Sequence, residues 1–478
     1  MLSVPLLDLT VRKNKMDLTN IIIIVLDAGR FDYLSCYGFI KELTPYIDSI
    51  AKKGIIFENV TTPAPWTVPS HASMFTGLYP NQHMANWNTL KIKDGIPTIF
   101  DILRQYGYKV AAFVANDTLI YPCEIFGKDA YIYGLKRYGR SKKLSGFVDG
   151  FRQEESNCYK ITEFFLDWFN KHLDFPFILY FNYYDLHSKY DAKEPYYSIY
   201  LSEKDKEILN QMGDRFNLHF KEMNREITIT DEQICALRNL YKAKMAMIDE
   251  NIGRVFTTLK DSGLLKNTII FITADHGDIL GDHKYPSFHH QFSIYNALIR
   301  IPLIIYSSKL EPYAKRIKIP LIQNIDIFPT ILDLCGIDSS DYLISSPAVS
   351  LKKYIFDNYQ LKPRDYAISL YEAPKRFVDW NKKYVNPIYI RKLFSIQDTQ
   401  YKLIFSDDGS LELYDIIKDP TEQNNIKDNK VKLCNKLKDK FFEIINKYGG
   451  LPEDYSIRFS KEEEEFIKER FRSLGYLE

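Results

Sequence analysis

A chain of 478 residues with 45% hydrophobic and 26% charged side chains has the apolar content for one large core plus a smaller second part. Its formal net charge of +1 supplies no field that would draw nucleic acid or an anionic membrane, so neither is expected as a partner. The apolar run Ile21 to Leu26 is far shorter than the roughly 20 residues of a membrane helix and lacks a small-residue cleavage site, so a cytoplasmic chain with no signal peptide and no membrane span is expected.

Residues 1–16 are weakly patterned, and Met16 is a candidate start. The β-branched run at 21–26 reads as a buried strand closed by Asp27. "TPYIDSIAKKG" predicts a helix stopped by Gly54, and "IIFENVTT" a strand. "SHASMFTG" predicts a short helix with Pro69 at its first position. "IPTIFDILRQYG" reads as a helix and "KVAAFVAN" as a strand. "FPFILYFNYYD" is a second buried strand ending in an acid, Asp185. Residues 188–230 are polar, charged and long for a connection; they form either an element near the site or a solvated excursion. A long amphipathic helix follows at 231–262, then the strand "NTIIFITAD" ending in Asp275, "IPLIIYS", and the helix "IDIFPTILDLCG".

Alternating strands and helices predict an α/β fold with a central, mostly parallel sheet sandwiched by helices. The catalytic domain is expected over 17–350, with 188–230 inserted in it. Residues 351–478 are expected to form a smaller α+β subdomain: "DYAISLYEA", "RKLFSIQ", "YKLIFS" and "LELYDI" read as an antiparallel sheet, and "SKEEEEFIKERFRSLGYLE" as an exposed terminal helix. The six cysteines have no Cys-x-x-Cys spacing, which fits reduced, mostly buried thiols.

Ligands of such sheets bind beyond the carboxyl ends of the strands. Three strand ends carry Asp27, Asp185 and Asp275. In "TADHGDILGDH" the acid Asp275 adjoins His276, a mixed donor set for a divalent cation that Asp27 can complete. Thr67, in "APWTVPSHA", is the candidate oxygen nucleophile; its alternative role, shared with Ser70, is a helix cap. The N-terminus of the helix that follows would favour an anion there.

These segments, in this order, resemble the sulfatase family of the alkaline phosphatase superfamily. "IVLDAGRFDYLSCYG" is similar to its first metal-binding strand and turn, "WTVPSHASMFTGLYP" to its nucleophile segment, "FNYYDLHSKYD" to its Asp-x-His element and "ITADHGDILGDH" to its second metal motif. "NALIRIPLII", "NIDIFPTILDLCGI" and "LELYDIIKDPTEQNNI" resemble later signatures. The resemblance implies Asp27, Asp275, His276 and Thr67 around a divalent metal ion (calcium, manganese, magnesium or zinc). It implies Thr67 as nucleophile, with His187 and His290 acting on the transferring anion or its leaving group. His71, Asp185 and His289 are then the expected substrate-binding residues, His289 competing with His290 for one position.

The departures from the family pattern carry as much information. Thr67 stands where sulfatases mature a Cys or Ser into formylglycine, so no formylglycine is expected. His71 replaces the motif's Arg, Ala28 replaces a second acid, and the Lys-x-His element expected after "GY" is absent. Acid, Thr, Asp and His together are similar to lipoteichoic acid synthases and phosphoethanolamine transferases, which use a metal-bound Thr. The leading expectation is a metal-dependent hydrolase of small-molecule or glycan anionic esters, phosphate favoured over sulfate. The alternatives are a transferase working through a Thr adduct and an inactive binding module.

Overall fold

The computed structural model describes residues 18–451, except 40–41, 88, 120–124, 128–129, 136–146, 152–156, 173–175, 188–191, 214, 284–286, 291, 319–320, 358–362 and 373–390, together with 465 and 468. The candidate start at Met16, Cys123 and nearly all of the expected terminal helix lie outside the described residues.

A ten-stranded sheet forms the centre, in the order β11-β2-β10-β7-β1-β6-β3-β4-β5, where β11 is Lys315–Ile317, with β12 (Ile322–Gln323) also paired to β2. The four middle strands are β7 (Thr268–Ala274), β1 (Asn20–Leu26), β6 (Phe177–Tyr183) and β3 (Lys109–Val114), all mutually parallel. In β7, β1 and β6 every residue is buried, because helices cover both faces and leave no polar side to the strand. β10 (Arg300–Tyr306), the "IPLIIYS" segment, runs antiparallel between β2 (Ile55–Thr61) and β7. Two further parallel strands, β4 (Tyr131–Leu135) and β5 (Phe147–Phe151), extend the other edge; their sequences lack the long apolar runs that marked the rest.

The 188–230 segment is not a solvated excursion. Its helices Tyr196–Tyr200 and Glu203–Met212 pack on the long helix Asp231–Asp261, where Tyr196 Oη donates to Glu250 (2.9 Å) and Asn239 Nδ2 to Asp205 (3.2 Å). A third helix, Arg215–Met223, turns inward. Thr230 starts the long helix by accepting the Gln233 N–H, with Gln233 bonding back to Thr230 N–H.

The small antiparallel sheet is present as β13 (Ala367–Tyr371), β14 (Leu393–Gln397), β15 (Tyr401–Ser406) and β16 (Leu411–Asp415), backed by helix Val431–Lys447. β13 lies against the loop that leads to Thr67: Leu370 N–H donates to the Pro63 carbonyl (2.8 Å) and Ser369 Oγ to that of Thr62 (2.7 Å). Of the five described cysteines, all free thiols, only Cys158 and Cys434 are buried; Cys235 is exposed, against the expectation of mostly buried thiols.

Candidate active site

The carboxyl ends of β1, β7, β6 and β3 converge on one buried cluster. Asp27 follows β1, and the chain turns there: Ala28 takes φ 61° and Gly29 donates its N–H to the Leu26 carbonyl (2.9 Å). A Cβ on Gly29 would stand 2.5 Å from that of Leu26, so only glycine fits. The turn aims the Ala28 N–H at Asp275 Oδ1 (3.2 Å), which also accepts the His276 N–H (2.9 Å). Gly277 is equally constrained, since a Cβ would lie 2.1 Å from the Ala297 carbonyl oxygen.

Each acid has one oxygen held and one left over. Asp27 Oδ2 accepts from Asn182 Nδ2 (3.0 Å) and Asn116 Nδ2 (3.1 Å). Asp27 Oδ1 and Asp275 Oδ2 are buried without a hydrogen-bond partner. Both face His276 Nε2, at 3.8 and 3.4 Å. His276 Nδ1 lies 2.8 Å from the Gly277 carbonyl; donating to it leaves the Nε2 lone pair pointing at the acids. Asp27, Asp275 and His276 thus offer three ligand atoms within 4.8 Å of one another, a set fit for a divalent cation. Burial is the main cause that pushes both acids up to about 7, with Asp275 further raising Asp27; burial also lowers His276 and keeps it neutral.

Thr67 is the first residue of helix Thr67–Thr76, two residues earlier than the expected start; Pro69 is its third residue. Trp66 is the N-cap and makes no side-chain cap bond, so neither Thr67 nor Ser70 is the cap. The Thr67 hydroxyl instead lies 3.5 Å from His276 Nε2 and 3.4 Å from Asn116 Nδ2. Ser70 Oγ donates to the Asp275 carbonyl (2.6 Å) and so joins the helix to the end of β7.

Two residues expected at the substrate sit elsewhere. His71 is fully buried behind Thr67: Nδ1 contacts the Thr67 carbonyl (2.8 Å), Nε2 meets Tyr180 Oη (2.6 Å), and Asp275 Oδ2 is 3.6 Å away. Burial lowers it to about 3, so it is a neutral brace rather than a replacement for a cationic Arg. Asp185 Oδ1 accepts the Cys158 N–H (3.2 Å) at the start of helix Asn157–Phe169, and its carbonyl accepts Lys244 Nζ (2.5 Å). It anchors that helix.

Four other histidines surround the group. His290 has ring-centroid distances of 4.7 Å to His276, 4.3 Å to His187 and 4.3 Å to His289. His219, from the inserted helix 215–223, stacks on His289 at 4.7 Å. Glu222, one turn on, accepts both the N–H and hydroxyl of Ser287 and so grips the strand that carries His289. Asn116, Asn182, His219 and Glu222 were not singled out by sequence. Asn182 lies at the end of β6, beside β1, and Asn116 just beyond β3, the next strand over; that register is the only signal that could have marked them.

The Sulfatase family profile matches residues 19–337, and the profile of the N-sulphoglucosamine sulphohydrolase C-terminal region matches 281–447. An arylsulfatase of Clostridium perfringens is 26% identical over 460 residues, covering 85% of this chain and 90% of that protein. The phosphonate monoester hydrolase of Agrobacterium radiobacter shares the fold with TM-score 0.70 and 18% identity, over 90% of this chain and 96% of its own. A protein solved with its substrate D-glucosamine-2-N,6-O-disulfate does so with TM-score 0.69 and 22% identity, over 90% and 98%. The matched profile and the arylsulfatase relative place the chain among the ester hydrolases of the alkaline phosphatase superfamily. Within that class, the chain belongs to the sulfatase family. No helix among the described residues is long and apolar enough to cross a membrane.

Proposed function

We propose that this sulfatase-type hydrolase is divalent-cation-dependent, uses Thr67 as nucleophile, and prefers phosphate mono- or diesters of small molecules or glycans over sulfate esters. One observation carries the reading: the Thr67 hydroxyl lies 3.5 Å from His276 Nε2, the atom that two buried carboxylate oxygens without a hydrogen-bond partner also face. Such oxygens are costly unless they meet a cation. A cation held by Asp27, Asp275 and His276 would act as a Lewis acid, favouring the ionised hydroxyl and offsetting charge on the ester.

Thr67 Oγ1 attacks the central phosphorus or sulfur, and the bond to the leaving alcohol breaks. The departing oxygen takes a proton from solvent or from an N–H of His187 or His290, the two rings packed over the site. Asn116 holds both Asp27 and Thr67, so nucleophile and acid move as a unit. A threonine ester has no second hydroxyl on the same carbon to expel the anion. Water must therefore attack the central atom again, the ordinary chemistry of a phosphoryl adduct. The relatives' names cover both ester classes, aryl sulfate and phosphonate.

The test is a parallel assay of aryl sulfate, phosphate monoester and phosphodiester with manganese, zinc, magnesium or calcium. Thr67→Ala is expected to lose turnover by about a thousandfold or more. Full activity in that variant rejects the nucleophile; turnover of sulfate esters alone rejects the phosphate preference.

A further inference from the structure

The chain immediately after Asp275-His276-Gly277 builds a second cluster, in which the chemistry above uses neither Asp278 nor His289. Asp278 leads into the ribbon formed by β8 (Ile279–Leu280) and β9 (Phe288–His289), and Ile279 pairs with His289. Ligand atoms of Asp278, His289 and His290 lie within 4.8 Å of one another, and all three side chains are buried. Asp278 Oδ1 and His290 Nδ1 are 3.9 Å apart, too far for a hydrogen bond. That spacing is near what two ligands adopt about one cation with bonds of about 2.0–2.2 Å. His290 Nδ1 is buried and makes no hydrogen bond.

The backbone is bent to create this cluster. Consecutive side chains of a strand point to opposite faces. Here the His289 and His290 rings lie on one side, 27° from parallel, because His289 takes φ 77°. That left-handed conformation is uncommon outside glycine, and such strain concentrates at functional sites.

We propose that Asp278, His289 and His290 form a second divalent-cation site beside the Asp27–Asp275–His276 group. One carboxylate and two imidazoles suit zinc, manganese or iron(II) better than calcium, which favours oxygen ligands. Three protein ligands leave a coordination position open to solvent or substrate oxygen. Binding through His289 Nε2 moves the ring proton to Nδ1. That nitrogen then stops accepting the His290 N–H (2.8 Å) and donates to the His290 carbonyl (3.2 Å). Because His290 and His276 are adjacent rings, two dications against Asp27, Asp275 and Asp278 leave a net positive site for an anionic ester. This last consequence rests on the proposed ester chemistry; the binding itself does not.

Full-length protein stripped by chelation is titrated with zinc by calorimetry, with bound metal counted by elemental analysis and folding checked by circular dichroism. The wild type is expected to bind two equivalents, and Asp278→Asn, His290→Gln and Asp27→Asn one each. A single wild-type equivalent that Asp27→Asn removes and Asp278→Asn keeps overturns the second site alone. A single equivalent that only Asp278→Asn removes upholds it and overturns the Asp27 site. Two equivalents retained by both Asp278→Asn and His290→Gln overturn the ligand assignment. No wild-type binding overturns both sites; if Asp278→Asn fails to fold, His290→Gln supplies the same comparison.

Discussion

Asn116 and Asn182 do for Asp27 what no charged residue of the site does. Their amides fix one carboxylate oxygen, so the other is aimed at His276 before any ion arrives. Residues that orient metal ligands typically set affinity by about 10–100-fold, so Asn182→Ala is expected to weaken cation binding within that range. Competition titration against a chelator measures it; an unchanged affinity rejects the positioning role. The replacement also removes the oxygen that accepts the Asn116 N–H (2.9 Å), so it loosens both amides that hold Asp27. Sequence reading found the acids here because a carboxylate closing an apolar strand is a local signal. Asp185 looks identical in sequence, yet its Oδ1 bonds the start of helix 157–169 and its backbone carbonyl accepts Lys244. The amide that reaches the site from the same strand, Asn182, reads as an ordinary polar residue.

At the scale of elements, the long helix 231–261 braces the turn after β1 from behind. Tyr241 Oη donates to the Ala28 carbonyl (2.7 Å) and accepts the Arg30 N–H (2.9 Å), fixing the turn after β1. Further along, Asp249 accepts the Tyr46 and Ile47 N–H groups (3.0 and 2.7 Å) and so caps helix Pro45–Lys52 from outside it. Burial pushes Asp249 up to about 7. The folded chain therefore holds a proton there between roughly pH 4 and 7 that the unfolded chain has released, so this group's contribution to stability falls as pH rises through that window. Asp249→Asn has no such proton to lose. Its melting temperature relative to wild type is expected to climb from pH 5 to pH 8; a constant difference rejects the assignment.

Across the whole molecule, the C-terminal sheet and the catalytic sheet are locked by a buried ion pair. Lys402, on β15, lies 2.6 Å from Glu422, both at most 1% exposed. Lys402 also donates to the Ile294 carbonyl (2.8 Å) and Asn296 Oδ1 (3.1 Å), and Glu422 accepts the Asn296 N–H (2.6 Å). Lys402→Met strands a buried carboxylate and is expected to cost about 3–5 kcal/mol in denaturant unfolding. Adding Glu422→Leu is expected to recover much of that loss; equal losses in the single and double variants reject a coupled pair. Since β13 bonds to the loop before Thr67, loosening this junction also reaches Thr67.

The sequence by itself determined the strands, the long helix and the group Asp27, Thr67, Asp275 and His276. Each is written in a short window, as an apolar run, a helical period or a residue at a strand's end. Only the tertiary structure decided the direction of β10, the packing of Asp185 against helix 157–169 and of His71 behind Thr67, and the inward turn of the insertion that brings His219 to His289. Those outcomes depend on which strand ends and helices become neighbours in space. Long-range packing sets that, and the identity of a single histidine or asparagine does not encode it.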